Sequence, residues 1–244
     1  MPEFIFAREE EQQGIRQRLS KGRPFLLHGP SGVGKTLLLR NVLTEIPSVL
    51  YCGNSATTQT VFRSIARQLL HAGNSRAQKV FHDEKSIDAK SAVSLKGIVL
   101  DALKNGNYTV VLDHIKCPSH SFAAVVREVV GWASTPVSTV AQSSHMEDVG
   151  FLQPLYSDRS EKYEIRNFDN STAEQFALEI IRRTGLEAPN LNDFVGKLLE
   201  FSEGNPGTIV SLIQMAKHPK YRLDEHIKIT PLYIDFRMNW GAVR

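Results

Sequence analysis

Short apolar runs alternate with longer amphipathic segments over the first two thirds of the chain. Each run is bounded by polar or turn-forming residues, which is typical of a buried strand. The third run is β-branched up to Asp113 and indicates a central parallel strand, whereas the fifth alternates apolar and charged residues as an edge strand does. Five strands are therefore predicted, at 24–28, 48–52, 108–113, 136–141 and 161–165.

Apolar residues at helical spacing separate these runs and predict connecting helices. Ser91 is the predicted N-cap of one helix, which Asn105-Gly106 ends. The segment 71–88 is polar and mixed, so we expect a loop there, and a short helix is expected from a cap near Ser144. The other helices are predicted at 8–19, 35–46, 58–72 and 122–132.

The alternation stops after Asp169, and three helices follow without strands. Strands that alternate with helices form a doubly wound parallel sheet covered on both faces. The predicted fold is therefore α/β: a five-stranded parallel three-layer sandwich of the P-loop NTPase type, followed by a small all-helical lid with helices at 171–184, 191–203 and 206–217.

Three segments of different composition give the predicted domain boundaries. The α/β core is expected at 1–167 and the helical lid at 168–217. The remaining tail, 218–244, has no clear period except at 227–236, and its residues 231–240 are unusually apolar for a tail. We expect it to pack on the lid or on a partner.

Composition narrows the class of protein only a little. The chain has 244 residues and a formal net charge of +3, which neither requires nor excludes nucleic acid as a partner. Its two cysteines, Cys52 and Cys117, lie outside any C-x-x-C or His cluster, so we expect a reducing compartment and no zinc site. An acidic start and the lack of a long apolar run predict a cytoplasmic protein that spans no membrane.

The run His-Gly-Pro-Ser-Gly-Val-Gly-Lys-Thr at 28–36 fits the phosphate-binding P-loop pattern at every fixed position. It lies between a predicted strand and a predicted helix, whose N-terminus favours an anion. In such a loop the lysine reaches the β- and γ-phosphates, and the hydroxyl after it ligates Mg²⁺. We expect nucleotide contacts from Gly29, Pro30, Ser31, Gly32, Val33, Gly34, Lys35, Thr36 and Leu37, with Thr36 also on the metal.

Asp113 closes an apolar strand, as the second Mg²⁺ ligand of a P-loop protein does. A strand and two helices separate it from Lys35, enough to put an extra strand between the two motif strands. That arrangement, and the lack of an N-K-x-D-like motif, favours ATP over GTP. His114 follows where ATPases of this layout usually place Glu. Either it acts as the base, or hydrolysis is slow or depends on a partner.

The chain resembles the AAA+ and STAND ATPases over residues 4–217, and within them the archaeal-type, replication-initiator and transposon-associated branch. Residues 6–11 are similar to the F-x-G-R-E-x-E entry motif, which implies that Phe6 and Arg8 lie at the adenine. Ala7 stands where the family has Gly.

Other positions acquire roles from the same resemblance. It implies that Asn54 is a polar switch residue and that Gln142 or Ser143 senses the γ-phosphate. Arg159 resembles an arginine finger that completes a neighbour's site; the alternative is a surface arginine.

The segment from Gly204 to Pro206 is similar to the G-x-P signature of the STAND and initiator branches. Pro206 suits the first turn of a helix, where N–H groups would face the nucleotide. The usual sensor arginine after it is absent.

Three functions remain open. The first is a Mg²⁺- and ATP-dependent switch that changes self-association or partner binding, with slow or stimulated hydrolysis. The second is a DNA-associated loader, for which the somewhat basic tail is the only support. The third is a scaffold that binds ATP without hydrolysing it.

Overall fold

The computed structural model describes residues 4–142 and 146–241 of the chain. These residues form two compact units. The first unit contains the chain up to Gly29 and from Lys35 to Ile165, and the second contains residues 30–34 together with the chain from Arg166 onward. The tip of the P-loop therefore belongs with the C-terminal helices and not with the sheet.

A five-stranded, wholly parallel sheet forms the centre of the first unit. All five predicted strands are confirmed, and Leu26 pairs with Thr139 on one side and with Lys162 on the other. The three internal strands are buried along most of their length, which explains their continuous apolar runs. The strands are β1 (Leu26–His28), β2 (Val49–Cys52), β3 (Thr109–Ile115), β4 (Val137–Ala141) and β5 (Lys162–Glu164).

The strand order is β2-β3-β4-β1-β5. An extra strand does lie between the P-loop strand β1 and the Asp113 strand β3, as expected for an ATPase layout. That strand is β4, however, while β2 from the Lys35–Asp113 interval lies at the far edge of the sheet. Chain order does not dictate sheet order, because each crossover helix can carry the chain in either direction along the sheet.

Five of the seven helices described in the first unit lie where the apolar spacing predicts them. Thr57 forms a capping box with Thr60, and Ser91 and Ser119 each accept the N–H group three residues later. The seven helices of this unit in the described chain are α1 (Glu9–Ser20), α2 (Lys35–Leu43), α3 (Thr58–His71), α4 (Ser75–Val80), α5 (Glu84–Asp88), α6 (Ala92–Lys104) and α7 (His120–Trp132).

The prediction of a loop over 71–88 is wrong, because α4 and α5 lie there. Asn74 caps the first of them through the N–H groups of Arg76 and Ala77. Asp83 caps the second in a reciprocal box with Ser86. Helices of six and five residues are too short to show a hydrophobic period, so only their caps could have revealed them.

The connection from β4 to β5 consists of the 3-10 segments Met146–Tyr156 and Arg159–Glu161. The helix cap predicted near Ser144 lies outside the described residues. Among the residues that the structure describes, no helix is both long enough and apolar enough to cross a bilayer.

The second unit contains the predicted helices as α8 (Asn170–Thr184), α9 (Leu191–Ser202) and α10 (Pro206–Ala216). Asp169 caps the first, and Gly185 ends it in a left-handed conformation. The segment predicted as a tail forms the hairpin β6 (Arg222–Leu223) and β7 (His226–Ile227) and then α11 (Ile229–Gly241). It packs on the helices, since the Tyr233 ring stacks on Phe201 of α9 at 3.6 Å.

Candidate nucleotide-binding site

The P-loop connects β1 to α2 through a backbone that requires glycine. Gly32 and Gly34 have φ angles of +81° and +101°, a region that side chains rarely allow. The N–H group of Val33 donates to the Pro30 carbonyl at 3.3 Å and closes the turn between them. Thr36 and Leu37, in the first turn of α2, are half-buried.

Lys35 is buried at the start of α2, with 7 % of its surface exposed. Its ammonium group donates to the Gly29 carbonyl at 2.7 Å and to the Gln142 carbonyl at 3.3 Å. Burial lowers the pKa of Lys35 to about 8, against the opposing effect of the carboxylates of Asp113 and Asp148. The lysine is therefore a desolvated cation held by main-chain oxygens, and a phosphate would restore much of its lost solvation.

Asp113 lies on β3 with 1 % of its surface exposed. Its Oδ2 atom accepts a hydrogen bond from the hydroxyl of Tyr51 on β2 at 2.6 Å, and its Oδ1 atom accepts the N–H of His114 at 2.7 Å. Burial raises the pKa of Tyr51 to about 12, and the hydrogen bond to Asp113 adds to the shift. The phenol is therefore a firm donor at neutral pH, and both carboxylate oxygens are held in place.

The oxygen atoms at this site are suitable ligands for Mg²⁺. A hydroxyl from Thr36 and a carboxylate from Asp113 are oxygen ligands of the kind that this cation prefers. The buried Asp113 carboxylate accepts hydrogen bonds from two neutral donors, and a divalent cation would stabilise its charge further.

His114 leaves the regular strand at Asp113. Its φ angle is +57°, and the register of β3 against β4 shifts between Leu112 and Ile115. The imidazole is half exposed, with Nε2 3.8 Å from Asp113 Oδ2. This geometry puts the ring beside the carboxylate and open to solvent.

The entry motif has a left-handed backbone at Ala7. Ala7 has a φ angle of +47°, in the left-handed region that favours glycine, at the position where the family has glycine. Arg8 is buried at the N-cap of α1 and pairs with Glu11, while Phe6 is half-buried beside Phe4. Ala7 therefore adopts a conformation that glycine adopts more readily.

The remaining candidates of the first unit have local partners. Asn54 accepts the N–H of Ala56 at 3.1 Å, which closes a turn after β2. Gln142 meets Lys35 through its main-chain carbonyl, and Arg159 lies in an exposed 3-10 turn capped by Asp158. Ser143 lies outside the described residues. The sensor, switch and finger roles of these residues stay predictions.

In the second unit the P-loop tip meets the start of α10. Pro206 is the first residue of that helix, and Asn205 is its N-cap. The N–H of Gly207 donates to the Gly32 carbonyl at 3.0 Å, and that of Thr208 donates to the Asn205 side chain at 3.1 Å. These two N–H groups, expected to face a nucleotide, have protein partners in this structure.

The sequence pattern of the AAA ATPase domain family matches residues 5–143, more than half of the chain. The chain belongs to this family. It is a nucleotide-binding ATPase of the AAA+ class, and the predicted P-loop NTPase fold with a helical C-terminal part is confirmed. No protein with a curated description matches the sequence.

Solved structures with the same fold include three archaeal proteins. A Walker-type ATPase of Pyrococcus abyssi has a TM-score of 0.68 and 19 % identity over 99 % of this chain and 75 % of its own. The ORC1 protein of Aeropyrum pernix, in complex with DNA, has a TM-score of 0.63 and 17 % identity, and the match covers 98 % of this chain and 66 % of that protein. Cdc6p of Pyrobaculum aerophilum has a TM-score of 0.57 and 12 % identity, and the match covers 88 % of this chain and 62 % of that protein. This chain thus spans three quarters of the first protein and under two thirds of the third.

Two polar residues of this AAA ATPase were not predicted as site residues. Tyr51 could have been found by pairing β2 with β3, since Tyr51 then lies opposite Val111, two residues before Asp113. Asn205 carries only its N-cap signal in the sequence, and nothing local indicates that its amide reaches the P-loop.

Proposed function

We propose that this AAA ATPase binds Mg²⁺ and ATP at its P-loop and uses the bound state as a switch in association with itself or with a partner. The observation that carries the proposal is the buried Lys35 ammonium, held by two carbonyl oxygens at the head of α2. Such a cation favours a polyanion, because charged phosphate oxygens attract a desolvated ammonium group more strongly than the neutral carbonyl oxygens that hold it.

Thr36 and Asp113 are the residues that would hold Mg²⁺. The ion, when bound, would neutralise charge on the β- and γ-phosphates. Tyr51 and the His114 N–H group orient the Asp113 carboxylate before any ligand arrives. Binding therefore requires little rearrangement of this carboxylate.

We further propose that hydrolysis is slow, or that a partner stimulates it. The residue after Asp113 is a half-exposed histidine with a positive φ angle, at the position where ATPases of this layout usually carry the glutamate that polarises a water molecule. An arginine supplied by a neighbouring copy accelerates phosphoryl transfer in many P-loop enzymes. Arg159 lies in an exposed turn from which it could serve such a neighbour.

Two measurements on one set of proteins test the proposal. Melting temperature is recorded with ATP and Mg²⁺, with ATP and a chelator, and with GTP; phosphate release is followed over a range of protein concentrations. Lys35→Ala removes the site, and Lys90→Ala, at an exposed lysine, is the matched control. We expect ATP and Mg²⁺ to stabilise the wild type and the control but not Lys35→Ala.

The phosphate assay separates the alternatives. Turnover per molecule that rises with concentration would support completion of the site by a second copy. ATP stabilisation without release would support a binding switch or scaffold. Neither stabilisation nor release in the wild type would refute nucleotide binding itself.

DNA association is the second candidate, favoured by the likeness in fold to an ORC1 protein solved in complex with DNA. The basic residues of the C-terminal segment offer it weak support. Lys220 pairs with Asp235 at 2.5 Å, and Arg222 donates to the carbonyls of Glu187 and Glu225. Retention on duplex DNA that falls steeply with salt would favour this function.

A further inference from the structure

Asn205 is a buried amide that bonds directly to the backbone of the P-loop. It is 7 % exposed and lies at the N-cap of α10. Its Nδ2 group donates to the Ser31 carbonyl at 2.9 Å and to Asn167 Oδ1 at 3.1 Å. All of these residues belong to the second unit, which includes the P-loop tip.

The oxygen and the nitrogen of this amide have different hydrogen-bond partners. Its Oδ1 atom accepts the N–H of Thr208 at 3.1 Å, which is the capping bond. Serine, threonine or aspartate would cap equally well, but none of them also offers an N–H donor. Capping therefore accounts for the oxygen of Asn205 and not for its nitrogen.

The neighbouring bonds fix the orientation of the amide. The nitrogen faces two oxygen atoms, and the oxygen faces an N–H group, so the reverse orientation would oppose like atoms at each contact. Asn167 in turn donates from Nδ2 to the Glu203 carbonyl at 3.1 Å, which assigns its own oxygen to Asn205.

The backbones of the two segments also touch. The N–H of Gly207 donates to the Gly32 carbonyl at 3.0 Å. A Cβ atom added to Gly207 would lie 2.9 Å from the Cα and carbonyl oxygen of Gly32, and one added to Gly32 would lie 2.8 Å from Asn205 Oδ1. No side chain fits between them, so the contact depends on glycine on both sides.

These bonds decide which way the P-loop peptides face. In a trans peptide the C=O and N–H groups point in opposite directions. Tying the carbonyls of Ser31 and Gly32 to the start of α10 therefore turns the N–H groups of Gly32 and Val33 away from that helix, and the Val33 N–H donates within the loop to the Pro30 carbonyl at 3.3 Å. Inward-facing N–H groups are what a P-loop uses to bind phosphate.

We propose that Asn205 is a positioning residue for nucleotide binding: its Nδ2 donor holds the P-loop backbone in the conformation that receives a triphosphate. This inference rests on the proposed function. A loop held in the competent state avoids the loss of apparent affinity that follows when only a fraction of molecules is competent. The hydrogen bond from Asn205 to the Ser31 carbonyl acts in the free protein, before the nucleotide binds.

Asn205→Ser tests this role, because serine keeps a capping oxygen but lacks the separate amide N–H group that donates to the Ser31 carbonyl. Asn74→Ser is the matched control: Asn74 also caps a helix with Oδ1 and donates Nδ2 elsewhere, to the Tyr108 hydroxyl at 3.1 Å. The measurements are the Kd for ATP with Mg²⁺, the urea midpoint of the free protein, and amide hydrogen exchange at residues 31–34.

We expect Asn205→Ser to raise the Kd for ATP about 3- to 10-fold, the factor that one net hydrogen bond represents. Exchange at residues 31–34 should become faster in the free protein. Asn74→Ser should lower the urea midpoint to a similar degree and leave both the Kd and this exchange unchanged.

Asn205→Asp provides a second variant should the serine protein fold poorly. Aspartate is among the strongest N-caps, yet it turns an acceptor toward the Ser31 carbonyl. We expect a larger rise in Kd than for serine, and one that persists at high salt, where a long-range charge effect is screened.

Unchanged ATP affinity in both Asn205 variants, beside a wild type that binds ATP, would overturn the inference and leave the proposed function standing. A wild type that does not bind ATP would refute the proposed function, and the inference with it.

Discussion

Tyr51→Phe deletes one hydroxyl group from the candidate Mg²⁺ site. That hydroxyl donates to Asp113 Oδ2 at 2.6 Å, and the carboxylate is almost wholly buried. Hydrogen bonds to charged groups contribute about 1.5–3 kcal/mol to stability, more than neutral ones, because an unpaired buried charge loses its solvation. We therefore expect the free energy of unfolding to fall by about 2 kcal/mol at neutral pH.

Urea unfolding of the nucleotide-free protein measures this loss. Tyr156→Phe is the matched control: its hydroxyl is also fully buried, but it donates to a neutral acceptor, the Val137 carbonyl, at 3.0 Å. We expect Tyr156→Phe to lower the free energy of unfolding by about 1 kcal/mol. A double-mutant cycle with Asp113→Asn then isolates the coupling between Tyr51 and Asp113.

The result for Tyr51 has a clear refutation. If Tyr51→Phe costs no more than Tyr156→Phe, and its coupling to Asp113 is near zero, the phenol does not hold a charged carboxylate. The orientation of Asp113 would then come from the His114 N–H and the strand alone.

Three further predictions follow from the geometry. The pKa of Lys35 is lowered to about 8 in the folded protein, so the unfolded chain holds this proton more tightly between pH 8 and 10.5, and stability must rise with pH across that window. Urea unfolding should therefore show the wild type gaining about 2 kcal/mol over Lys35→Met between pH 7 and 9.5, and an unchanged difference would contradict the buried charge. Ala7→Gly relieves a positive φ angle and should leave the protein as stable or up to about 1 kcal/mol more stable, whereas a clear loss would mean that the methyl group packs. His114→Glu supplies a carboxylate base and should raise phosphate release at least about tenfold, with Asp113→Glu as a control that lengthens the other acid and should not.

Local signals account for what the sequence predicted of the fold. The strands of the sheet were found from short apolar runs, and the cap predicted at Ser91 placed the start of that helix to within a residue. The helices α4 and α5 were missed because so few residues show no period. The place of β2 at the sheet edge is a property of topology, which no local pattern contains.

The candidate site also contains residues that local signals predict and residues that only the structure reveals. Lys35 and Asp113 were predicted because a motif and a strand end mark them in the sequence. Tyr51 reaches Asp113 across 62 residues of chain, and Asn205 reaches Ser31 across 174, and neither pairing leaves a local signal. Both are hydrogen bonds that hold a predicted group in place. Sequence motifs therefore predicted the groups that would touch a ligand, and the structure was needed to find those that orient them.

Two non-glycine residues with positive φ angles fall at motif positions of the first unit, Ala7 and His114. Each such conformation costs on the order of 1–2 kcal/mol, so the surrounding structure must enforce it. At His114 the benefit is visible: the break in register turns its N–H toward Asp113 Oδ1, at 2.7 Å. The backbone after Asp113 therefore supports the carboxylate whatever side chain follows. Replacing the usual Glu by His alters the group available for hydrolysis and leaves this backbone contact intact. For that physical reason we expect ATP binding to be retained in a protein whose turnover is slow.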